Sequence, residues 1–232
     1  MFKDTVRGLG QLFETDIEAP KNILVSGPPG SMKTTFVHTM FSKYLESHPD
    51  EYCLYITLEQ NTDSLVEGLL QAGIKIHMNM NIVDFTEFRK LRQQGGTLDY
   101  FALISDIINK YRQDKGEKFT LFSLDSLGAL YSLTPVKKRM RVKMFDFFNL
   151  LNRENLISFV IMERDPEGSS ELLGNEGFLA DGIIFVGLEK NHGRISRFIQ
   201  IEKMRASVHS MERYGIQIGD SGMEVLRPTF DQ

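Results

Sequence analysis

Apolar residues in the first two-thirds of the chain follow two alternating patterns. Short continuous apolar runs, typical of strands buried in a parallel sheet, alternate with segments whose apolar residues recur at helical spacing. The predicted strands are 22–27, 53–59, 79–85, 119–127 and 156–163, and the predicted helices are 33–47, 61–74, 98–116 and 135–155. This alternation predicts an α/β fold, with a mostly parallel central sheet and helices on both of its faces.

The last third of the chain shows strand patterns without long helices between them. Strands are predicted over 182–190, 195–205, 213–220 and 222–227, and the short links Asn-His-Gly and Asp-Ser-Gly suit hairpins. We therefore expect a C-terminal antiparallel β extension of the parallel sheet. Because no shift in composition marks a linker, residues 1–232 are predicted to form a single domain.

Cysteine content and hydropathy suggest where the protein resides. The 232 residues include one cysteine, Cys53, which excludes an internal disulfide and fits a reducing compartment. Residues 1–16 lack the long apolar core of a signal peptide, and no run approaches the roughly 18 apolar residues of a membrane span. We expect a cytoplasmic protein without a membrane span.

Charge gives little reason to expect nucleic-acid binding. The formal net charge is −4 and the sequence pI is about 5.8, whereas nucleic-acid-binding domains usually carry a basic surface. One basic run, 137–143 (KKRMRVK), is either a solvated helix face or a surface that binds single-stranded DNA. Nucleic-acid binding therefore stays open as an alternative that this run alone favours.

The segment 25–36, VSGPPGSMKTTF, matches the phosphate-binding loop pattern G-x-x-x-x-G-K-[ST] except that Met32 replaces the second glycine. It lies between a predicted strand and a predicted helix, where backbone N–H groups converge on phosphate oxygens. Lys33 is expected to reach the outer phosphates, and the Thr34 hydroxyl is expected to bind Mg²⁺. The predicted nucleotide-binding residues are Gly27, Pro28, Pro29, Gly30, Ser31, Met32, Lys33, Thr34 and Thr35.

Met32 is the departure in this loop. If its position requires a positive φ, a side chain there costs about 1–2 kcal/mol. Such a cost is compatible with folding and with phosphate binding, and it leaves the rate of turnover open.

Two acidic residues end predicted strands. Asp125 ends a core strand, where an aspartate can hold the water shell of Mg²⁺, although loop aspartates are common at strand ends. Glu59 ends another strand, and it is either a solvated residue or a carboxylate that orients and deprotonates an attacking water. In a parallel sheet these carboxyl ends form the face that binds ligands.

These motifs together resemble the KaiC-like branch of the RecA-like ATPases. The resemblance covers about residues 20–228 and rests on the order of several short motifs rather than on any one of them. Besides the loop, the motifs are YITLEQ, LFSLDSLGAL, MER, FLADGIIFV and IEKMRASVHS. The resemblance implies a RecA-like P-loop fold, ATP and Mg²⁺ as cofactors, and ATP hydrolysis, which we expect to be slow.

The resemblance also implies roles for individual residues. Lys33 and Thr34 would bind ATP and Mg²⁺, Asp125 would support the metal, and Glu59 would be the catalytic carboxylate. The family commonly has a second acid after Glu59, where this chain has Gln60. The catalytic cations Lys203 and Arg205 would reach the γ-phosphate of a neighbouring subunit. This arrangement implies a head-to-tail homo-oligomer, a hexameric ring by resemblance, with a protein partner that the sequence does not name.

One departure bears on autokinase activity. The clock protein of this family carries a Ser-Thr phosphoacceptor pair where this chain has Gly177 and Phe178, so we expect no phosphorylation there. Two other functions remain open: an ATP-binding regulatory module with little hydrolysis, which Met32 and Gln60 favour, and a RecA-like mediator of DNA recombination or repair.

Overall fold

The computed structural model describes residues 1–85, 99–134, 140–164, 177–191, 194–219 and 222–227. Within these ranges nine strands form one sheet, in the order β3-β2-β4-β5-β1-β6-β7-β8-β9. The strands are β1 Lys21–Gly27, β2 Tyr52–Thr57, β3 Met80–Asp84, β4 Phe119–Asp125, β5 Ile157–Glu163, β6 Gly182–Asn191, β7 Arg194–Met204, β8 Tyr214–Gly219 and β9 Gly222–Val225.

Strand direction follows the pattern expected from the sequence. The neighbours from β3 across to β6 are all parallel, and β7, β8 and β9 continue the sheet in antiparallel pairs. The predicted mostly parallel sheet with a C-terminal antiparallel extension is therefore confirmed. Since the parallel strands share one orientation, their carboxyl ends, including those of β1, β2, β4 and β5, lie at one edge.

Five helices connect or flank these strands in the described residues. They are α1 Lys33–Ser47, α2 Thr62–Gln71, α3 Tyr100–Lys115, α4 Leu127–Leu133 and α5 Met140–Arg153. Short 3₁₀ turns occupy Phe2–Asp4, Leu9–Gln11 and Gly116–Lys118. Asn61 caps α2, because its side chain accepts a hydrogen bond from the Ser64 amide at 2.8 Å.

Several element boundaries differ from the prediction, and β2, for example, ends at Thr57, two residues before Glu59. The strand predicted over 119–127 ends at Asp125, because Ser126 accepts a hydrogen bond from the Ala129 amide and begins α4. The helix predicted over 135–155 corresponds to α5, and the start of that prediction, 135–139, lies outside the described residues.

The core has two layers, one on each face of the sheet. One buried cluster includes residues from α1, α2 and the N-terminal segment, which spans 2–17. The other includes residues from α3, α4 and α5. The N-terminal segment was not predicted to be structured, yet Phe2 is fully buried and stacks on Tyr44 with ring centroids 4.4 Å apart. No helix in the described ranges is long and apolar enough to cross a bilayer.

Candidate nucleotide-binding site

The predicted phosphate-binding loop connects the carboxyl end of β1 to the start of α1. Gly27 is the last residue of the strand, 28–32 form the turn, and Lys33, Thr34 and Thr35 occupy the first turn of the helix. Among the residues that the structure describes, no side chain caps the amide groups at the start of α1. Free amides at a helix N-terminus are a favourable site for an anion.

Met32 has the backbone conformation that a glycine would normally supply. Its φ of 78° and ψ of 31° place it in the left-handed region, at the cost of about 1–2 kcal/mol expected above. Its side chain packs against the buried cluster around α1, which offsets part of this cost. The loop therefore keeps the turn that the phosphate-binding pattern requires, with a strained residue in it.

Gly27 is fixed by a close approach of two backbones. A Cβ atom at this position would lie 1.9 Å from the Val186 carbonyl oxygen of β6, so any side chain would collide with the neighbouring strand. The tip of the loop is also tethered, because Arg197 of β7 donates through Nε to the Gly30 carbonyl oxygen at 3.1 Å. Arg197 is distant from the loop in sequence, and no sequence motif connects the two.

Lys33 lies inside the loop with its ammonium group held by backbone oxygens. Its Nζ donates to the carbonyl oxygens of Gly27 and Pro28, each at 2.9 Å. Burial lowers the pKa of Lys33, and three nearby carboxylates, those of Glu163, Asp125 and Glu59, oppose that shift. The ammonium group therefore lies inside the loop and close to three acidic residues.

Asp125 lies at the end of β4 and is only 7% exposed. Its Oδ2 accepts hydrogen bonds from Thr34 Oγ1 and from the Tyr55 hydroxyl, both at 2.7 Å. Burial raises the pKa of Asp125, and these two hydrogen bonds oppose the shift. The structure thus brings together the threonine and the aspartate that the sequence predicts to serve one Mg²⁺ ion.

Glu59 follows β2 and is exposed at the same edge of the sheet. Its Oε1 accepts a hydrogen bond from the Ser126 hydroxyl, which lies immediately after Asp125. The neighbouring Gln60 is held through its backbone, whose amide and carbonyl both bond to the Thr57 hydroxyl. The Glu59 carboxylate therefore faces the region between β2 and β4.

Glu163 is an acidic residue of this edge that had no role in the sequence prediction. It ends β5 and is paired with Gly27 in the register of β1 and β5, and it has the largest charge effect on Lys33. Its position as the last residue of a predicted strand was the available signal.

Lys203 and Arg205 lie away from the loop of their own chain. Lys203 Nζ donates to the carbonyl oxygens of Gly177 and Ala180 at 2.7 and 2.6 Å. Arg205 donates through Nη2 to the Phe178 carbonyl oxygen at 2.8 Å.

The backbone fixes Arg205 near the amino end of β1. Its amide donates to the Asp181 carbonyl oxygen, and the Asp181 amide donates to that of Asn22. Arg205 lies beside Asn22, whereas the loop begins at Gly27. At the usual rise of a β-strand, these two positions of β1 are about 17 Å apart. The structure does not bring these cations into the site of the same chain.

The residues of the loop and the adjacent strand ends fit a nucleoside triphosphate bound with Mg²⁺. The Ser31 hydroxyl is buried and has no hydrogen-bond partner among the described residues, so the loop contains a polar group that a phosphate oxygen can satisfy. Thr34 and Asp125 supply oxygen ligands, which Mg²⁺ prefers over nitrogen or sulfur. Lys33 supplies positive charge beside them.

The basic run is only partly described. Residues 137–139 lie outside the described ranges, whereas Arg141 is exposed on α5. Lys143 pairs with Asp99 at 2.6 Å, and its ammonium group lies 5.8 Å from the centre of the Phe101 ring. The charge of Lys143 is therefore already balanced within the chain.

Comparisons with known proteins show the family of this chain. The family described as "ATPase: KaiC" matches residues 2–229. The circadian clock oscillator protein KaiC of Acaryochloris marina is 24% identical over 230 residues, which cover 95% of this chain and 43% of that protein. A UPF0273 protein of Aeropyrum pernix is 26% identical over 237 residues, which cover 96% of this chain and 92% of that protein. The chain thus spans less than half the length of the clock relative.

A solved structure supports the fold. The crystal structure of a KaiC-like protein from Pyrococcus horikoshii matches with a TM-score of 0.80 at 22% sequence identity, and the match covers 95% of this chain and 96% of that one. The shared architecture is the mostly parallel sheet with helices and C-terminal antiparallel strands.

Proposed function

We propose that this chain, which belongs to the KaiC family of ATPases, binds ATP with Mg²⁺ and hydrolyses it slowly. The observation that carries the proposal is the convergence of Lys33, Thr34, Asp125 and Glu59 at one edge of the sheet. These residues come from the start of α1 and from the ends of two strands, β2 and β4, which are distant in sequence. Their meeting at a free helix N-terminus supports phosphate chemistry there.

Each residue has a role in this proposal that its contacts support. The amides of the loop bind phosphate oxygens, and Lys33 exchanges its carbonyl partners for the outer phosphates. Thr34 and Asp125 hold Mg²⁺ and its water shell, which neutralises charge on the phosphates. Glu59 orients and deprotonates the attacking water, and the Ser126 hydroxyl fixes the position of its carboxylate.

The catalytic cations are proposed to act between subunits. Lys203 and Arg205 lie far from the loop of their own chain, and Arg205 is half exposed, with 52% of its side chain accessible. A cation supplied by a neighbour can stabilise the transferred phosphoryl group, which is typically worth about 10³–10⁵ in rate. We therefore propose a head-to-tail homohexameric ring in the cytoplasm, whose hydrolysis switches the conformation presented to a protein partner.

ATP hydrolysis and oligomer mass, measured together with Mg²⁺, test this function. Wild type is expected to turn over ATP as a ring, while Glu59→Gln and Arg205→Ala each lose at least about 100-fold in rate and still bind ATP. Arg153→Ala is the matched control, because Arg153 is exposed at the end of α5 and should leave the rate unchanged.

Mixed rings test the action between subunits. Lys33→Ala chains and Arg205→Ala chains should each be inactive alone, and mixing them should restore activity at interfaces that join an intact loop to an intact Arg205. If both variants form rings and the mixture stays inactive, the cations do not act between subunits.

The regulatory module is the second candidate function. Met32 in the left-handed conformation and Gln60 in place of a second acid favour it. Wild-type rings that bind ATP without hydrolysis above background would establish this function and remove the catalytic role of Glu59. Retention on single-stranded DNA that falls with salt would instead support the DNA mediator.

A further inference from the structure

A buried polar group lies directly behind the proposed Mg²⁺ site. The Tyr55 side chain is fully buried in the middle of β2, and its hydroxyl donates to Asp125 Oδ2 at 2.7 Å. β2 pairs with β4, and Tyr55 lies opposite Ser123, two residues before Asp125. The tyrosine therefore approaches the carboxylate from the interior of the protein, below the loop.

Packing at this position does not require the Tyr55 hydroxyl. The Tyr55 side chain lies on the same face of the sheet as the buried Cys53 of β2 and Leu121 of β4. A phenylalanine ring would fill nearly the same volume there. A buried phenol needs a hydrogen-bond partner, and Asp125 is that partner. At 2.7 Å from Asp125 Oδ2, the hydroxyl is placed as a hydrogen-bond donor to the carboxylate.

His38 holds the ring of Tyr55 in place. The imidazole ring packs against it in a tilted arrangement, with centroids 4.1 Å apart and an interplanar angle of 37°. His38 is fully buried, and neither ring nitrogen has a hydrogen-bond partner among the described residues. It lies one helical turn after Thr34 on α1. The same helix therefore supplies one donor to Asp125 directly and fixes the ring that carries the other.

Two donors on one oxygen restrict the carboxylate strongly. Thr34 Oγ1 and the Tyr55 hydroxyl reach Asp125 Oδ2 from α1 and β2, and Asp125 itself lies on β4. Because these two hydrogen bonds come from different elements, they fix the orientation of the carboxylate group. A carboxylate held in one orientation can present its oxygens to Mg²⁺ and its water shell.

We propose that Tyr55 is a positioning residue that sets the affinity of the site for Mg²⁺, acting through Asp125 and itself supported by His38. This inference rests on the proposed ATPase function, because it assigns Tyr55 to the metal half of that site. The Tyr55 hydroxyl then governs the cation dependence of nucleotide binding and leaves the contacts of the phosphate loop unchanged.

Tyr55→Phe removes only the hydroxyl and tests the proposal through binding. The affinity of a fluorescent ADP analogue is measured first in EDTA and then across a Mg²⁺ titration. We expect the affinity in EDTA to stay within about twofold of wild type, while the Mg²⁺ concentration for half-saturation rises about 10- to 100-fold, as is typical when a partner of a metal-binding carboxylate is lost.

Tyr44→Phe is the matched control. Tyr44 lies on α1 away from the loop, and its hydroxyl interacts with the Glu51 carboxylate, so this variant removes a similar hydrogen bond without touching Asp125. Its Mg²⁺ titration should match wild type. A purely structural role of Tyr55 would weaken binding equally with and without Mg²⁺, and this result would overturn the proposal.

The possible failures are distinct. If wild type binds nucleotide and Tyr55→Phe has an unchanged Mg²⁺ half-saturation, the role of Tyr55 is wrong and the ATPase function stands. If wild type binds no nucleotide under any condition, the proposed function fails and the inference fails with it. Binding of Tyr55→Phe in EDTA serves as the test that this variant is folded.

Discussion

His38 makes the stability of the fold depend on pH, and the substitution His38→Leu isolates that dependence. Burial lowers the pKa of His38 from 6.5 to about 3, so the folded protein keeps the imidazole neutral. Between these two values the unfolded chain takes up a proton that the folded chain does not. The contribution of the neutral His38 to the free energy of unfolding is therefore fully present above pH 6.5. It is lost as the pH falls from 6.5 toward about 3, the pKa of His38 in the folded protein.

The magnitude follows from the two pKa values. Each pH unit between them costs about 1.4 kcal/mol of unfolding free energy. From pH 7.5 to pH 5 the unfolded imidazole gains its proton almost fully, and the loss amounts to about 2 kcal/mol. His38→Leu has no imidazole to protonate, so its stability should exceed that of wild type by about 2 kcal/mol more at pH 5 than at pH 7.5.

Urea unfolding without nucleotide, followed by circular dichroism at several pH values, measures this difference. Met40→Leu is the control, because Met40 is fully buried on the same helix and its replacement nearly conserves volume. The unfolding free energy of Met40→Leu should change with pH in the same way as that of wild type. If the His38→Leu and wild-type curves are also parallel from pH 7.5 to 5, the neutral buried imidazole inferred here is wrong.

The loop allows two further tests of stability. Met32→Gly should be about 1 kcal/mol more stable than Met32→Ala in urea unfolding, because only alanine retains the strain at φ 78°; an alanine variant of equal or greater stability would remove the argument for strain. Gly27→Ala should destabilise by about 3 kcal/mol or more, since its Cβ would collide with the Val186 oxygen. Gly68→Ala in α2 has open space and should stabilise by about 0.5–1 kcal/mol, so similar behaviour of the two alanine variants would contradict the close approach.

The elements that carry the site were predictable because their signals are local. An apolar run, a glycine-rich turn and a helical pattern define β1, the loop and α1 within one short segment. Asp125 ends its strand as predicted, whereas Glu59 lies two residues beyond the end of β2; in a parallel sheet these ends meet at one edge. The spacing of residues within one segment was sufficient for each of these conclusions.

The contacts between segments were not predictable in the same way. The hydrogen bond of Tyr55 to Asp125 depends on β2 lying beside β4, and the effect of Glu163 on Lys33 depends on β5 lying beside β1. Neither pairing follows from the order of the strands along the chain. The cap by Ser126 was missed for another reason, since Leu127 extends the apolar run of β4 although it belongs to α4.

The separation of Arg205 from the loop has a consequence for how the proposed activity depends on protein concentration. Under the proposed assembly each chain contributes one half to each of two different sites, so a dilute, dissociated chain has no complete site. Turnover per chain should then fall as the protein is diluted below the dissociation constant of the ring. A chain that lacks both Lys33 and Arg205 would disable the sites on both of its sides when it is inserted into a ring.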